Sequence, residues 1–276
     1  MGTATPLLMG IVNVTPDSFS DGGRYVDPAA AIAHGRQLLA DGADVLDVGG
    51  ESTRPGATRP LLEEELARVV PVIEALSRDA VVSVDTMRAE VARAALDAGA
   101  RIVNDVSGGL ADPAILDVVA ATDATYVAMH WRAHADRMQQ LASYDETGGV
   151  VATVRGELAD RVAAARAAGI PDERLVLDPG LGFAKTAAHN WALVAGLEEI
   201  AGLGLRVLVG GSRKSFLGSL LAGPDGSPRP VDDREAASTA LTLLLAERGV
   251  WCVRVHEVRA SRDALRVLAR LTEEEQ

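Results

Sequence analysis

The sequence predicts an α/β fold, a (β/α)₈ TIM barrel that takes up residues 1–276 as a single domain. Three observations carry this. Eight short, near-continuously apolar runs alternate with eight longer stretches of helical character. The runs lack a two-residue polar alternation, as strands covered on both faces by helices do. The chain has 276 residues and no linker divides it, which suits one barrel of roughly 250 residues. Alternation of this kind implies a parallel sheet with helical crossovers, and a count of eight favours closure.

The candidate strands, in order, are Leu7–Val14, Val45–Gly50, Val81–Asp85, Arg101–Ser107, Thr125–Trp131, Leu175–Gly180, Arg206–Ser212 and Cys252–Glu257. Between them lie Ala/Leu/Arg/Glu stretches such as PAAAIAHGRQLLADGA, LLEEELARVVPVIEALSRD and MRAEVARAALDAGA. Several end in Gly or Asp-Gly, as helix C-termini do. A last helix is expected over Ser261–Leu271. Two stretches read as long loops, Arg132–Gly149 and the Gly/Pro-rich Gly223–Asp233.

Composition narrows the function classes. Hydrophobic residues make up 48% and charged residues 24%, the balance of a folded globular chain rather than a disordered one. The formal net charge of −12 argues against a nonspecific nucleic-acid binder, which shows a basic field. It leaves an anionic substrate open, because a site depends on local charge. The longest apolar runs are too short to span a bilayer, and MGTATPLLMGIVNV has no basic segment before its apolar stretch. A lone Cys252 excludes an intrachain disulfide and a cysteine-rich metal site. The expected setting is the cytoplasm, with no membrane and no nucleic-acid partner.

Barrels of this class place their active sites at the C-terminal ends of the strands. Here nearly every strand ends in a residue that a plain apolar core would not select: Asn13, Glu51, Asp85, Asn104 with Asp105, Asp178, Ser212 with Lys214, and Arg254 with His256. Residues two apart on a strand share a face, so Ser83 points with Asp85, Ile102 with Asn104 and Val106, and Arg254 with His256. Met129 aligns with Val127, whereas His130 alternates with that set and is expected to pack. Each polar residue also has a plain structural reading. Asp85 could cap the next helix, Asn104 and Asp105 could close a turn, and Arg254 could be a satisfied ion-pair partner. That reading weakens because it has to be invoked separately on so many strands.

Gly-rich loops follow strands one, two and seven. TPDSFSDGG and GGESTRPGATRP combine Gly and Pro, the residues of unusual and rigid turns. GGSRKSFLG sets Ser, Arg and Lys where a helix is expected to start near Ser215, with Ser212 or its neighbours as cap; a helix N-terminus of this kind suits an anion. An isolated oxygen ligand such as Asn13 suits Mg²⁺, which keeps its waters and bridges to substrate phosphate. There is no Rossmann fingerprint, no Walker loop and no nucleophile elbow.

The ordered motifs GIVNVTPDSFSDGG, DVGGESTRPGA, SVDT, IVNDVSGG, LDPGLGFAK, GGSRKSFLG and VRVHEV resemble the dihydropteroate synthase family from Gly10 to Leu271. The resemblance implies that a 7,8-dihydropterin bearing a 6-hydroxymethyl pyrophosphate reacts with p-aminobenzoate to give dihydropteroate and pyrophosphate, with Mg²⁺ assisting. Carried onto matching positions, it implies pterin binding by Asp85, Asn104, Asp178 and Lys214, with Val106, Met129 and Phe183 lining the pocket and Arg254 against the pterin face. It implies pyrophosphate binding by Asn13, Arg54, Arg254 and His256, and Mg²⁺ at Asn13. It implies a p-aminobenzoate site of Phe19, Thr53, Arg54, Pro55 and Ser215. Lys214, Asp21, Arg254 and His256 would form the catalytic group, with Asp21 beside the cation left as pyrophosphate departs. A homodimer through the late helices is also implied.

Family members often carry Gly and Pro where Ala133 and Ala135 stand, so the path of the loop after strand five is expected to differ. Two alternatives share the pterin pocket. A pterin-dependent methyltransferase is disfavoured by the intact STRPG and SRKS segments. A non-catalytic pterin-binding paralogue is disfavoured by the presence of Arg54, Lys214 and His256.

Overall fold

The computed structural model describes residues 5–15, 27–51, 59–134, 137–144 and 148–274. Eight parallel strands close into a barrel in sequence order: β1 (Leu7–Asn13), β2 (Val45–Gly49), β3 (Val81–Asp85), β4 (Ile102–Asp105), β5 (Thr125–Met129), β6 (Leu175–Asp178), β7 (Arg206–Val209) and β8 (Cys252–Val255). Closure is made by β8 pairing with β1, Cys252 beside Leu7 and Arg254 beside Met9. The helices are α1 (Pro28–Ala40), α2 (Leu62–Leu76), α3 (Ala89–Asp97), α4 (Ala114–Ala120), α5 (Val150–Ala167), α6 (Ala187–Ala195), α7 (Leu197–Ala201), α8 (Ser215–Leu220), α9 (Glu235–Glu247) and α10 (Val258–Glu274).

Local chemistry sets several helix starts. Asp27 accepts from the Ala29 N–H at 2.9 Å ahead of Pro28, the first helical residue of α1, a cap followed by a residue whose missing N–H costs nothing there. Glu64 reaches back to the Leu61 N–H at 3.0 Å at the start of α2. The hydroxyl of Thr186 caps α6 through the His189 N–H at 3.2 Å.

Two expectations are corrected. The alternation is not strict, because the β6–β7 connection carries α6 and α7 and the β7–β8 connection carries α8 and α9. The last helix starts at Val258 and runs to Glu274, longer than Ser261–Leu271 at both ends. Seven of the strands, all but β3, also stop one to three residues short of their apolar runs. At β4 the reason is visible. The carboxylate of Asp105 accepts from the Ser107 N–H and hydroxyl, the Gly109 N–H and the Tyr126 hydroxyl, all within 2.8 Å, which bends the chain out of the sheet at once.

The core has two parts divided by the barrel wall. The larger lies between strands and helices and is built from strand residues such as Leu8, Val48, Val84, Val103 and Leu177 against helix residues such as Ile73, Leu158 and Leu245. The smaller plugs the barrel interior: Met9, Val45, Ile102, Val127, Val176, Leu208 and Cys252, all buried. Cys252 is thus an inert packing residue, and burial pushes its thiol well up. The plug leaves the inner wall free to turn polar one step higher.

Candidate active site

That step is set by the two-residue period of a strand. Two positions beyond plug residues stand Asp47 after Val45, Asn104 after Ile102, Met129 after Val127, Asp178 after Val176 and Arg254 after Cys252. The neighbouring strands add Ser83 and Asp85, in register with Asp47 and with Gly49 and Asn104 respectively. The predicted face is therefore the inward one, and the polar set converges at the C-terminal mouth.

Arg254 is the centre of the set. Its Nε donates to Oδ2 of Asp47 at 2.6 Å and its Nη2 to Oδ2 of Asp85 at 2.8 Å. Asn104 donates from Nδ2 to the same Asp47 oxygen at 3.0 Å. With its amide hydrogens turned to Asp47, Asn104 presents its carbonyl oxygen to the mouth as an acceptor. Gly49 makes room, since a Cβ there would lie 3.3 Å from that of Asp85. Asp85 does not cap α3, whose first N–H groups are served by Thr86 and Asp112 instead. Burial pushes the Asp85 carboxyl up to about 7; Arg254 opposes this, while Asp47, Glu51 and Glu65 add to it.

Asp47 is absent from the sequence-based site. It sits in the middle of a five-residue apolar strand and is wholly buried. Its signal was phase: it shares the inward face with Val45 and Gly49, and a carboxylate in such a place needs a cation. Its Oδ1 and the hydroxyl of Ser83 have no hydrogen-bond partner among the described residues.

On the opposite wall, Oδ1 of Asp178 accepts from the Gly180 N–H at 2.7 Å. Gly180 has φ +66°, and a Cβ there would fall 2.4 Å from the His130 carbonyl, so this turn admits glycine alone. Burial pulls the Lys214 ammonium down to about 8 against the pull of Asp178. Lys214 donates to the Leu181 carbonyl and lies 4.5 Å from the centre of the Phe183 ring. Val106, Met129 and Met87 form a buried apolar cluster against which Phe183 packs. The wall is thus apolar, with carboxylate, amide and ammonium groups at its edge, as a site for a flat polar heterocycle needs.

Behind Phe183 lies a polar network centred on His130, a residue whose strand phase predicts packing. His130 is buried, but its Nδ1 meets Nζ of Lys185 at 2.8 Å and its Nε2 meets Glu157 at 2.7 Å. Lys185 also donates to the Phe183 carbonyl at 2.9 Å, and Arg132 clamps both oxygens of Glu157. Burial pulls His130 down to about 4 despite its bond to Glu157. Glu157, against its own burial, is held down to about 2 by hydrogen bonds from His130 and Arg132. The imidazole is neutral and ties the β5 and β6 loops together.

The remaining predicted residues divide. Asn13 ends β1, half-buried. His256 follows β8, with its N–H and Nδ1 within 3.3 Å of the Ser212 hydroxyl. Ser212 is therefore committed to His256 and does not cap α8, which starts at the exposed Ser215 with no side-chain cap. Asp105 faces away from the mouth into its own turn. Phe19, Asp21, Thr53, Arg54 and Pro55 lie outside the described residues. Among the described residues no three His, Cys, Asp or Glu side chains cluster to hold a metal, and no helix is long and apolar enough to cross a membrane.

The chain matches the family described as pterin binding enzyme over residues 9–256. It is 53% identical over 270 residues to the dihydropteroate synthase of Mycobacterium leprae, covering 97% of this chain and 94% of that one. It superposes with a TM-score of 0.88 on a dihydropteroate synthase of Xanthomonas albilineans with 4-aminobenzoic acid, at 47% identity over 97% of this chain and 93% of the other. A second structure of the X. albilineans enzyme, in complex with 7,8-dihydropteroate, gives 0.84 at 43% identity over 98% and 95%.

The raised Asp85 carboxyl makes a stability prediction. Between its unfolded value near 3.8 and its folded value of about 7, the folded chain holds a proton that the unfolded chain has lost. That contribution is full below the unfolded value and disappears as pH rises through about 7. Asp85→Asn removes the titration. Melting curves at pH 5 and pH 8 should show the variant gaining on the wild type as pH rises; a difference in Tm that does not change with pH would show that Asp85 is ionised throughout.

Proposed function

The chain belongs to the pterin-binding enzyme family, and from that premise we infer that it is a transferase catalysing the dihydropteroate synthase reaction. 6-Hydroxymethyl-7,8-dihydropterin pyrophosphate and p-aminobenzoate give 7,8-dihydropteroate and pyrophosphate. The aniline nitrogen bonds to the methylene carbon, the carbon–oxygen bond to pyrophosphate breaks, and the nitrogen loses a proton. The single observation that carries the reading is the convergence of Asp85, Asn104, Asp178, Lys214 and Arg254, from five separate stretches of chain, on one mouth with an apolar wall.

The roles follow from donor and acceptor polarity. Asp178 and Asn104 offer acceptors to the N–H groups of a pterin edge, and Lys214 offers a donor to its carbonyl. Val106, Met129 and Phe183 cover the ring. A buried site of this kind rejects a ligand that leaves its polar groups unpaired. Arg254 and His256 meet the pyrophosphate, whose growing charge as the bond breaks is stabilised by cations that are already in place. Departure of pyrophosphate runs ahead of attack, because the electron-rich dihydropterin spreads the positive charge left on the methylene.

The donor set fits a Mg²⁺ ion of the kind held mainly by substrate phosphate and water. Asn13 supplies one neutral oxygen at the mouth, and no all-protein cage is needed. When bound, the ion neutralises the leaving pyrophosphate. Ser215 and the segments carrying Phe19, Asp21, Thr53, Arg54 and Pro55 complete the reading on the p-aminobenzoate side, with Arg54 also reaching pyrophosphate. Exposed Leu244, Val267 and Leu271 on α9 and α10 support a homodimer through the late helices. The setting is the cytoplasm, and the partners are these small molecules.

The decisive assay is pyrophosphate release from the pterin pyrophosphate with and without p-aminobenzoate. Release that depends on p-aminobenzoate and yields dihydropteroate is expected; none would favour the non-catalytic paralogue. Asp178 gives a residue-level test. Its Oδ1 must keep accepting from Gly180, so in Asp178→Asn the new NH₂ group is forced onto the ligand side and turns an acceptor into a donor. Affinity for 6-methylpterin by calorimetry should fall at least tenfold, about 1.4 kcal/mol, with Tm nearly unchanged. Unchanged affinity would remove Asp178 from the pocket.

A further inference from the structure

Arg254 is held in a divided way. Its Nε and Nη2 lie side by side on one edge of the guanidinium, the edge that matches the two oxygens of a single carboxylate. Here that edge is split: Nε goes to Asp47 and Nη2 to Asp85. Meanwhile Oδ1 of Asp47 is buried and has no hydrogen-bond partner among the described residues. A buried acceptor left unmade costs far more than an ordinary hydrogen bond gains. A small turn of the guanidinium about its Nε contact would carry Nη2 from Asp85 to that oxygen and convert a split contact into a bidentate one. On one side the Arg254 stem is uncrowded. Gly210, at the end of β7, presents no side chain to the Arg254 stem; even a Cβ there would stay 3.7 Å away.

We propose that Arg254 is a two-position switch that pivots on Asp47. In one position it bridges Asp47 and Asp85. In the other it sits bidentate on Asp47, Asp85 takes the pterin edge, and Nη1 faces the pyrophosphate. The proposal deepens the functional reading and rests on it, since it takes Asp85 as a pterin acceptor and Arg254 as a pyrophosphate donor.

The consequence is coupling. In the empty mouth, pterin has to displace the guanidinium from Asp85, and pyrophosphate has to draw the same guanidinium away from Asp85. Whichever ligand arrives first bears that cost, and the second does not. The two therefore bind with positive cooperativity, which is reciprocal. Asp47 touches neither ligand. It is a positioning residue, because it keeps the released guanidinium at the mouth and in the plane that faces the leaving group. Through its bond from Asn104 it also keeps that amide's carbonyl toward the pterin while Arg254 moves.

The test measures coupling rather than rate. Inorganic pyrophosphate is titrated calorimetrically into the whole enzyme, at fixed magnesium concentration, with and without saturating 6-methylpterin. In the wild type, pyrophosphate should bind about fivefold or more tightly when 6-methylpterin is present, at the low end of typical allosteric couplings. Asp47→Asn, nearly isosteric, should still bind both ligands, but the ratio should drop below about twofold. Asp85→Asn provides the opposite arm. With the competing hold on Nη2 weakened, pyrophosphate alone should bind more tightly than it does to wild type, again with little further gain from 6-methylpterin. A merely structural role for either carboxylate would weaken binding and would not improve it. Full coupling in Asp47→Asn, or weaker pyrophosphate binding to Asp85→Asn, overturns the proposal. Failure of 6-methylpterin to bind the wild type overturns the pterin reading itself, and the switch falls with it. Should Asp47→Asn not fold, the direction of change in Asp85→Asn decides alone.

Discussion

The mouth of this barrel is organised around one guanidinium. Asp47, Asp85 and Asp178 bring three carboxylates onto the inner wall just above an apolar plug, and each loses water in doing so. Burying a charge without a partner costs several kcal/mol. Arg254 meets the first two directly, and Lys214 attracts the third. With three acids and two cations at this level, one negative charge is in excess. Burial first, and then the neighbouring negative charge of Asp47, Glu51 and Glu65, raise the Asp85 carboxyl to about 7 against the pull of Arg254. The same guanidinium contact indirectly sets the polarity of Asn104, because the Asp47 oxygen that receives Nε also receives the amide hydrogens. Binding specificity, charge balance and leaving-group stabilisation thus share one set of atoms.

A rigid frame makes this arrangement tolerable. Asp47, Asn104, Met129, Asp178 and Arg254 each stand two strand positions beyond a packed residue, so their direction is fixed by the pleat, while Lys214 and Phe183 come from the loops above. Outside the barrel wall, further buried polar clusters hold the connections. Asp105 satisfies the turn after β4 with four hydrogen bonds. Glu157, His130 and Lys185 run from α5 to the Phe183 carbonyl. Glu65 is buried beside α3, where it pairs with Arg88 at 3.1 Å and accepts from the Thr86 hydroxyl. The Asp105 and His130 clusters, bonded on each of these sides, each fix a single arrangement of their loops. Within the mouth, Asp47 Oδ1 and the Ser83 hydroxyl are buried without a hydrogen-bond partner among the described residues.

Much of this was legible in the sequence, and for physical reasons. Apolar runs without alternation predict parallel strands and their number, the polar strand ends mark Asp178, and the two-residue period adds a face to Asp85, Asn104 and Arg254. Asp47 gives no such mark, because the polar layer begins in mid-strand on β2 and not at the strand end. Asp105 was harder still: beside Asn104 it reads as a second site residue, yet the pleat turns it outward into a turn whose partners, Ser107 and Tyr126, only the fold brings together. The extra helices between β6 and β8 are short and share apolar and small residues with their neighbours, so no break in pattern announced them. Ser212 reads as a helix cap by position, but the barrel curvature sets it beside His256. Contacts between distant strands were out of reach, since nothing local in Asp47 says that a residue more than two hundred positions on will neutralise it.

The claim that one guanidinium compensates the buried acids can be tested without any ligand. Unfolding free energies from denaturant titration are needed for wild type, Arg254→Met, Asp47→Asn and the double variant. Removing Arg254 alone strands two buried carboxylates and should cost about 3–5 kcal/mol. Neutralising Asp47 as well should recover part of that loss, so the double variant is less destabilised than the sum of the singles by at least about 1 kcal/mol. Strict additivity, or an Arg254→Met variant as stable as the wild type, would contradict the account.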